Sequence, residues 1–486
     1  MFCRRFQPAF SRRDLLTQTG LGIGTAALAS VLAADAQAAP PATAPAAVGG
    51  LPDFPNFAPK AKRVICLFQS GGPSHLDLFD DKPVLRARFN EDLPDSVRRG
   101  QRITGMVASQ ARLALQPSKY AFKPGGKCGT PVSDLVPFTR DIADEICLIR
   151  SVHTEAINHD PAITFFQTGS QQPGRPSMGA WVDYGLGRTN ENLPAFVVLI
   201  SVNKERAGQG LLARLWGSGF LPSRHQGVQF RGAGEPVLYL GDPPGVTRER
   251  RRTMLDGLAE LNRLGHARAG DPEIETRIGQ YEMAYRMQAS VPDLMDLSNE
   301  PKSSLERYGP DVGTPGSFAR NCLLARRLAE RGVRFIQLYH RDWDHHGGLQ
   351  DALPKIARDV DQPSAALVRD LKQRGMLDDT LVIWGGEFGR TPYAQGNANR
   401  DAYGRDHHGK AFSLWMAGGG IKGGTAYGNS DDFGFNVAEN PVHVHDLQAT
   451  ILHCLGVDHT RLTYRFQGRQ FRLTDVHGNV VKAVLS

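Results

Sequence analysis

The chain has 486 residues, of which 22% are charged, and a formal charge of +7 with histidine counted as neutral. A chain of this length can bury a large hydrophobic core. Its basic residues fall in short, scattered clusters such as RERRR at 248–252, which excludes a typical nucleic-acid-binding module with interleaved aromatic residues. The six cysteines form no C-x-x-C pair, which excludes a zinc ribbon or a dithiol redox motif.

The first 59 residues have the composition of a targeting segment. SRRDLL at 11–16 contains an arginine pair, a glycine-diluted apolar run follows, and Ala36-Gln37-Ala38 offers a cleavage site. This order is typical of an export signal, the arginine pair indicates the twin-arginine (Tat) pathway, and the run is too short to span a membrane. We therefore predict a signal peptide at 1–38, an Ala/Pro-rich linker at 39–59, a periplasmic or secreted protein and no membrane span.

From about residue 60, short apolar runs alternate with helical patterns. The runs, predicted as strands, lie at 63–68, 145–150, 195–201, 237–240, 334–339, 380–385 and 411–416. The predicted helices between them include 317–332, 351–375 and 444–456. Near-continuous apolar strands are typical of a sheet covered on both faces. We predict a single α/β domain over 60–486, a doubly wound, mostly parallel sheet flanked by helices, with a mainly helical insertion at about 246–298.

Polar residues cluster beside five of these strands. Ligands bind beyond the carboxyl ends of the strands in such sheets, so these segments are expected at one edge. The segments carry His75 and Asp77 after the first strand, His153, Thr154, His159 and Asp160 after the second, His340, Asp342, Asp344, His345 and His346 in YHRDWDHHGG, Glu387 and Arg390 in GEFGRT, and Asp406, His407 and His408 before the last strand. Singly, each is explained as a polar loop; together they favour a metal site.

The residue types limit the chemistry of such a site. Imidazole and carboxylate groups suit zinc and other divalent transition metals, and carboxylate-rich sites also take manganese, magnesium or calcium. Divalent ions stabilise the transfer of phosphoryl or sulfuryl groups. Thr154 or Ser70 could act as an activated nucleophile, although most hydroxyls in such loops brace turns.

The motif order resembles the alkaline phosphatase-like superfamily, which includes phosphatases, phosphodiesterases, sulfatases and phosphoglycerate mutases. Over about 60–459, LFQSGGPSHLDLFDDKP, INHDPAITFFQTG, WDHHG, GEFGRTP, GRDHHG and AGGGIKGG resemble an exported bacterial family more closely. That family is the domain of unknown function 1501, often labelled sulfatase-like. The resemblance implies an alkaline phosphatase-like fold.

The resemblance also implies site residues. Asp344 and His346 resemble ligands of one metal, and Asp342 is an alternative because it meets the superfamily's D-x-x-x-H spacing with His346. Glu387 falls where the superfamily has an Asp-His pair, and His407 resembles its late histidine ligand. Further predicted ligands are His75, Asp77 and His159, while Asp406 and His408 are candidates for a supporting role.

Several departures leave the activity open. The first strand delivers Gln69-Ser70 in place of an aspartate, and Phe388 stands where a second histidine ligand is expected. The sulfatase nucleophile motif, Cys or Ser followed by x-Pro-x-Arg, is absent. Arg390 either binds a substrate oxyanion through its fork or pairs with Glu387. His443 and His445 favour a packing or capping role.

The leading hypothesis is an exported, metal-dependent hydrolase of a phosphate or sulfate ester, with zinc as the first choice of ion and manganese, calcium or magnesium as alternatives. Its catalytic residues are predicted to be Thr154 and Arg390, and its substrate a small-molecule or glycan ester. The alternative is a catalytically idle binding or scaffolding protein with a structural metal. A metal-dependent transferase or mutase is a third hypothesis.

Overall fold

A nine-stranded mixed sheet lies at the centre of the computed structural model, which describes residues 49–202, 210–232, 234–238, 240–396 and 402–486. The predicted signal peptide and the first part of the linker lie outside the described residues. The later linker residues contact the sheet domain, because the Leu51 amide donates to Gly185 O (2.9 Å) and the Asn56 amide to Gly456 O (2.8 Å). The described residues form one compact unit.

Six of the seven predicted strands are present in the sheet. Its strands are β1 (Arg63–Gln69), β2 (Ile146–His153), β3 (Phe196–Ile200), β4 (Val228–Phe230), β5 (Phe335–His340), β6 (Thr380–Gly385), β7 (Phe412–Ala417), β8 (Thr425–Tyr427) and β9 (Val442–His443). The order across the sheet is β8-β2-β7-β6-β1-β5-β3-β4, and β9 also pairs with β2. The prediction of a mostly parallel sheet is confirmed.

Strand β7 alone among these strands runs antiparallel to its neighbours, β2 and β6. The other pairs in the sheet are parallel. The amino end of β7 therefore lies at the edge where the other strands have their carboxyl ends. This reversal brings the segment that precedes β7 to the same edge as the segments that follow β1, β2, β5 and β6.

Helices cover both faces of the sheet. The longer helices are α1 (His159–Thr168), α2 (Met178–Leu186), α3 (Arg248–Ala269), α4 (Pro272–Met295), α5 (Phe318–Glu330), α6 (Leu349–Gln373) and α7 (Val444–Cys454). Alternate residues of β1 enter two cores: Ile65 and Leu67 pack with α4, α5 and α6, whereas Cys66 and Phe68 pack with α1, α2 and α7. Burial on both faces explains the continuous apolar runs.

The predicted helical insertion is confirmed as the pair α3 and α4. Thr247 caps α3 by accepting from the Arg250 amide (3.3 Å), and Asp271 caps α4 by accepting from the Glu273 amide (2.9 Å). Side-chain oxygens at these positions satisfy amides that the first helical turn leaves without partners.

The predicted strand at 237–240 is wrong: its described residues form a bend and a turn. Val237 and Leu240 are apolar because they pack against the core on the side of α4, not because they pair with a strand. The carbonyl of Leu240 accepts from the Gln288 side chain (2.7 Å), so a helix takes the place of a neighbouring strand.

Shorter elements complete the described part of the chain. Short α-helices lie at Pro83–Ala87, Asp95–Arg98, Pro137–Arg140, Lys302–Tyr308 and His75–Leu78, and 3₁₀ turns at Ala213–Trp216, Ser223–His225, Pro310–Gly313, Leu377–Asp379 and Lys482–Val484. Paired strands outside the main sheet are Phe122–Gly125 with Thr130–Ser133, Gly389–Gln395 with Gly404–His408, Asn429–Ser430 with Val437–Glu439, and Tyr464–Phe466 with Arg469–Phe471. Among the described helices, none has the length and apolar character needed to cross a membrane.

Candidate metal centre

Four side chains converge beyond the carboxyl ends of the sheet strands. They are His159, Asp344, His346 and His407, and one potential ligand atom from each lies within 4.8 Å of the others. His159 opens α1 after β2, Asp344 and His346 follow β5, and His407 precedes β7. The group therefore combines three segments that are far apart in sequence but meet at one edge of the sheet.

One carboxylate oxygen, Asp344 Oδ1, is the focus of this group. The Nε2 atom of His346 lies 2.8 Å from it, and the Nε2 atoms of His159 and His407 each lie 3.2 Å from it. Three imidazole nitrogens thus face a single carboxylate oxygen. Imidazole nitrogen and carboxylate oxygen are ligands that divalent transition metals accept.

The second nitrogen of each imidazole meets an oxygen acceptor. The Nδ1 contacts are His159 with Glu387 Oε1 (2.6 Å), His346 with Gln395 Oε1 (2.5 Å) and His407 with Ile157 O (2.8 Å). A carbonyl oxygen only accepts, so Nδ1 of His407 carries the hydrogen and its Nε2 presents a lone pair. Metal-binding histidines are held in this way, with the non-ligating N–H donated to an oxygen.

The converging nitrogens fit a bound cation. His346 Nε2 and His407 Nε2 are 3.0 Å apart, and His159 Nε2 is buried without a hydrogen-bond partner among the described residues. Lone pairs that face one another and a carboxylate repel unless positive charge lies between them. A divalent ion supplies that charge, so the residues present fit a metal.

The pKa values of the converging residues are shifted by burial and by their charged neighbours. Burial by itself would raise the pKa of Asp344, but its close contacts with the three histidines and the charge of Arg390 bring that pKa well below its usual range. Burial would lower the pKa of His159, yet Asp344 and Glu387 raise it. The pKa of His407 is lowered to about 4, first by burial and then by Arg390.

The loop after β1 supports the segment that carries Asp344. Trp343 Nε1 donates to Gln69 Oε1 (3.0 Å), and the Gly71 amide donates to Glu387 Oε1 (2.9 Å). Gly71 has φ +118°, and a Cβ atom there would lie 2.7 Å from the Asp344 amide nitrogen. Only glycine allows this close approach of the two loops.

Arg390 holds Asp344 rather than projecting into an open space. Its side chain is 1% exposed and donates to Asp344 Oδ1 (2.7 Å) and Gly72 O (2.8 Å), as well as to Arg405 O and Gly71 O. Of the two interactions considered from the sequence, pairing with Glu387 is replaced by pairing with Asp344. The guanidinium therefore holds the same carboxylate oxygen that the histidines face and ties it to the main chain of neighbouring loops.

Glu387 lies behind the centre. Its buried carboxylate contacts His159 Nδ1 and the Gly71 amide, and it is outside the four-residue group. Phe388, at the position where the sequence analysis expected a histidine, has its ring centroid 4.9 Å from that of His159 and 4.7 Å from that of His407. An aromatic wall replaces the expected second histidine ligand.

His75 and Asp77 lie in a different network. His75 Nε2 contacts Gly434 O (3.0 Å), and burial lowers the pKa of this histidine. Asp77 Oδ2 accepts from Arg405 Nε (2.8 Å), and both side chains of this ion pair are fully buried. The structure thus does not bring these two predicted ligands together with the four converging residues.

The remaining predicted residues lie close in sequence to the centre but have other contacts. Asp342 is outside the four-residue group found among the described residues, and it adopts φ +81°. The Thr154 amide donates to Gly409 O (2.8 Å), and the Thr154 hydroxyl lies 3.4 Å from the Ala156 amide. The buried Ser70 hydroxyl has no hydrogen-bond partner among the described residues.

The neighbouring histidines make contacts outside the candidate metal centre. His340 packs against Phe318, with ring centroids 5.0 Å apart, and His408 Nε2 contacts Phe435 O. His443 caps α7 through a capping box with Asp446, as the capping interpretation predicted. Asp406 accepts from the Thr104 hydroxyl.

Sequence reasoning did not identify Gln395, the carbonyl of Ile157 or the role of Arg405. A single glutamine at the end of a strand and a main-chain carbonyl carry no sequence signal for metal support. The only sequence signal for Arg405 is that it lies two residues before His407. That position does not reveal that Arg405 is buried or that Asp77 is its partner.

Comparison with solved structures finds distant similarity in chain arrangement. Phosphonate monoester hydrolase SpPMH from Silicibacter pomeroyi shares 13% identity over 66% of this chain and 68% of that chain, with a TM-score of 0.30. PsFucS1 sulfatase from Pseudoalteromonas sp. shares 13% identity over 82% of this chain and 68% of that chain, with a TM-score of 0.33. Alkaline phosphatase from the Antarctic bacterium TAB5 shares 12% identity over 77% of this chain and 96% of that chain, with a TM-score of 0.32.

The search of curated proteins finds no match. A family profile, by contrast, covers almost the whole described chain, from residue 61 to residue 485. The protein belongs to the family described as "Protein of unknown function (DUF1501)".

Proposed function

We propose that this protein is an exported, metal-dependent hydrolase that acts on a phosphate or sulfate ester. The observation that carries the proposal is the convergence of three imidazole Nε2 atoms on Asp344 Oδ1, with each Nδ1 held by an oxygen. Buried polar atoms are normally paired, so three lone pairs aimed at one point mark a site for a ligand.

Zinc is the proposed ion, with manganese, calcium and magnesium as alternatives. His159, His346, His407 and Asp344 would hold it, and three nitrogen ligands favour zinc over the oxygen-preferring calcium and magnesium. When bound, the ion would supply a Lewis acid for a phosphoryl or sulfuryl oxygen.

The surrounding residues orient this set, and two of its four side chains are partly open to solvent. Glu387 and Gln395 fix the rings of His159 and His346, and Arg390 fixes Asp344. The side chains of Asp344 and His346 are about a quarter exposed, at 26% and 27%, so an ester can approach from solvent. Arg390 therefore acts as a positioning residue in this proposal.

Thr154 is the proposed nucleophile. It lies in the loop that also supplies Ile157 O to His407, and its hydroxyl accepts from the Ala156 amide of that loop (3.4 Å), which helps to orient it. A Thr154→Ser variant should retain turnover, whereas Thr154→Ala should lose it if a covalent intermediate forms. Turnover that persists in Thr154→Ala at the wild-type rate would assign the attack to water.

A structural metal is the second candidate function, and the number of ligands favours it. Four side chains could together hold one ion, which is the usual number of protein ligands in structural zinc sites, whereas catalytic sites keep a position open for water or substrate. In that case the protein would be a binding or scaffolding protein on the same fold. The two candidates share the metal and differ in turnover.

Metal content and turnover together test both candidates. We expect purified full-length chain to contain about one divalent ion per molecule by elemental mass spectrometry, and His346→Ala to lose it. His266→Ala, on exposed α3, is the matched control. Aryl phosphate, phosphodiester and sulfate esters are then assayed with the same three proteins. Metal without turnover supports the structural candidate, and wild-type protein without metal contradicts both.

Export and substrate class belong to the same proposal. The arginine pair at 12–13 supports Tat export, and replacing both residues with lysine should leave the protein in the cytoplasmic fraction. A small-molecule or glycan ester is the proposed substrate. Release of phosphate, of a phosphate monoester or of sulfate from the esters in the panel identifies whether the site accepts a phosphoryl or a sulfuryl group.

A further inference from the structure

A separate cavity of about 450 Å³ lies between α4 and the edge of the sheet that carries β3 and β4. Its wall is mostly apolar and includes Phe196, Val228, Leu240, Met283 and Met287. Cavities of this size with an apolar wall and a few polar groups are typical of small-molecule sites. Methionine side chains adapt their shape to varied ligands.

This cavity is distinct from the candidate metal centre. Phe196 is the first residue of β3, so the cavity lies toward the amino end of that strand, whereas the metal centre lies beyond the carboxyl ends. None of the four converging residues lines it. A ligand here would not contact the groups proposed to hold the metal.

The polar groups of the wall leave one cation without a matching anion. Arg224 Nε donates to His225 Nε2 (3.1 Å), and His225 Nδ1 donates to Asp183 Oδ2 (2.7 Å), so the charges of Arg224 and Asp183 offset each other through the imidazole. Arg188 also lines the cavity, and its buried Nε has no hydrogen-bond partner among the described residues.

The remaining acid of the wall, Glu275, does not neutralise Arg188. The side chain of Glu275 is 67% exposed, and its Oε1 lies 3.6 Å from His266 Nε2. A buried guanidinium donor gains most from a charged acceptor, and its planar fork matches a carboxylate in two parallel hydrogen bonds. The charge and the apolar wall together define a ligand with one anionic end.

We propose that this cavity binds an amphipathic carboxylate, a molecule with a carboxylate group on an apolar body. Arg188 pairs with the carboxylate, and the apolar body contacts the methionines of α4 and the side chains at the start of β3. The site is independent of the proposed hydrolase activity.

Gly279 offers a way to close the cavity without disturbing its wall. It lies inside α4 and lines the cavity, and a Cβ atom built on it meets no atom within 4 Å. A phenylalanine there would enter the free volume. Glycine inside a helix is also less favourable than other residues by several tenths of a kcal/mol, so Gly279→Phe is not expected to destabilise α4.

The test measures decanoate binding to the full-length protein by titration calorimetry, below the micelle concentration. We expect saturable binding of one decanoate per chain, at least about tenfold weaker binding of decan-1-ol, and at least about tenfold weaker decanoate binding to Arg188→Gln, since a charged hydrogen bond contributes roughly 1.5–3 kcal/mol. Gly279→Phe should abolish binding.

Two controls isolate the site. Arg277→Gln removes an exposed cation from α4 that does not line the cavity, and it should bind decanoate as the wild type does. His346→Ala should also bind normally, which separates this site from the metal centre. No saturable decanoate binding, equal affinity for decanoate and decan-1-ol, or unchanged binding to both Arg188→Gln and Gly279→Phe would overturn the proposal.

Discussion

Two histidine-rich regions lie at the same edge of the sheet and differ in where their nitrogens point. In the candidate metal centre, His159, His346 and His407 direct Nε2 toward one carboxylate oxygen. At the start of α7, His443 and His445 also lie side by side, with ring centroids 5.1 Å apart. Each of these two instead bonds to its own separate acceptor.

In the second region, three of the four imidazole nitrogens of His443 and His445 have local hydrogen-bond partners. His443 Nε2 donates to Glu155 Oε1 (2.9 Å), its Nδ1 accepts from the His445 amide (3.2 Å), and His445 Nε2 donates to Gly169 O (3.1 Å). No three potential ligand atoms of this region meet within the described residues. Convergence of lone pairs, rather than the number of histidines, therefore distinguishes a metal site from a capped helix start.

The largest expected effect is the loss of a converging imidazole. His407→Ala removes one of four proposed ligands, and we expect zinc affinity to fall by at least about 100-fold, more than the loss typical of supporting residues. His445→Ala should leave zinc affinity within about threefold of wild type. Competition with a chelating dye measures the zinc affinity of both variants. Equal zinc affinities for the two variants would contradict the distinction between the regions.

A smaller effect is expected from the carboxylates that hold the histidines. Glu387 contacts His159 Nδ1 at 2.6 Å, and Glu155 contacts His443 Nε2 at 2.9 Å. Each region therefore has one glutamate–histidine pair, and the two pairs can be compared. Glu387→Gln should weaken zinc binding about tenfold because the supporting charge is lost. Glu155→Gln should not change it. A similar loss in both variants would indicate a general effect of the mutations on folding.

The pH dependence of stability tests the burial of His445 in the second region. Burial lowers the pKa of His445 to about 4, below the ordinary value near 6.5 in the unfolded chain. The unfolded state then binds more protons between pH 6.5 and 4, so stability falls as pH falls through this window, by at most ~1.4 kcal/mol per pH unit. Urea unfolding of His445→Gln should show a shallower decline than wild type. Parallel curves would contradict the assignment.

The smallest effect concerns the helix cap. Asp446 Oδ2 accepts from the His443 amide (3.0 Å) and completes the capping box of α7. Asp446→Ala should reduce the free energy of unfolding by about 1 kcal/mol and leave zinc affinity unchanged. Asp432→Ala, at an exposed aspartate, is the control for stability. Loss of zinc binding in Asp446→Ala would contradict the prediction that the two regions are independent.

Much of the sheet was predictable because burial on both faces leaves a continuous apolar signal. RVICLF and TLVIWG became β1 and β6, and the segment 246–298 became two helices. The run at 237–240 carries the same signal but packs against α4 instead. Apolar character records burial, and a run of four residues does not reveal which neighbour buries it.

The candidate site was predictable in part. The WDHH segment was selected because acids and histidines follow a buried strand, and the structure brings Asp344 and His346 to the focus. Spacing alone left Asp342 as a rival, because either carboxylate can be placed near His346 in sequence. The choice depends on the turn after β5, where Asp342 adopts a positive φ and Trp343 is anchored on Gln69.

Periodicity and residue chemistry are local properties, so the sequence alone predicted the α/β sheet, its helical insertion and the ligand types. Which of the polar residues converge depends on contacts between segments that are far apart in the chain. The reversed direction of β7 brings His407 to Asp344, and the first turn of α1 brings His159. His75 and Asp77, equally promising in sequence, instead complete a buried network with Arg405 and Gly434. Partner choice among buried polar groups is a property of three-dimensional contacts, which a linear pattern does not contain.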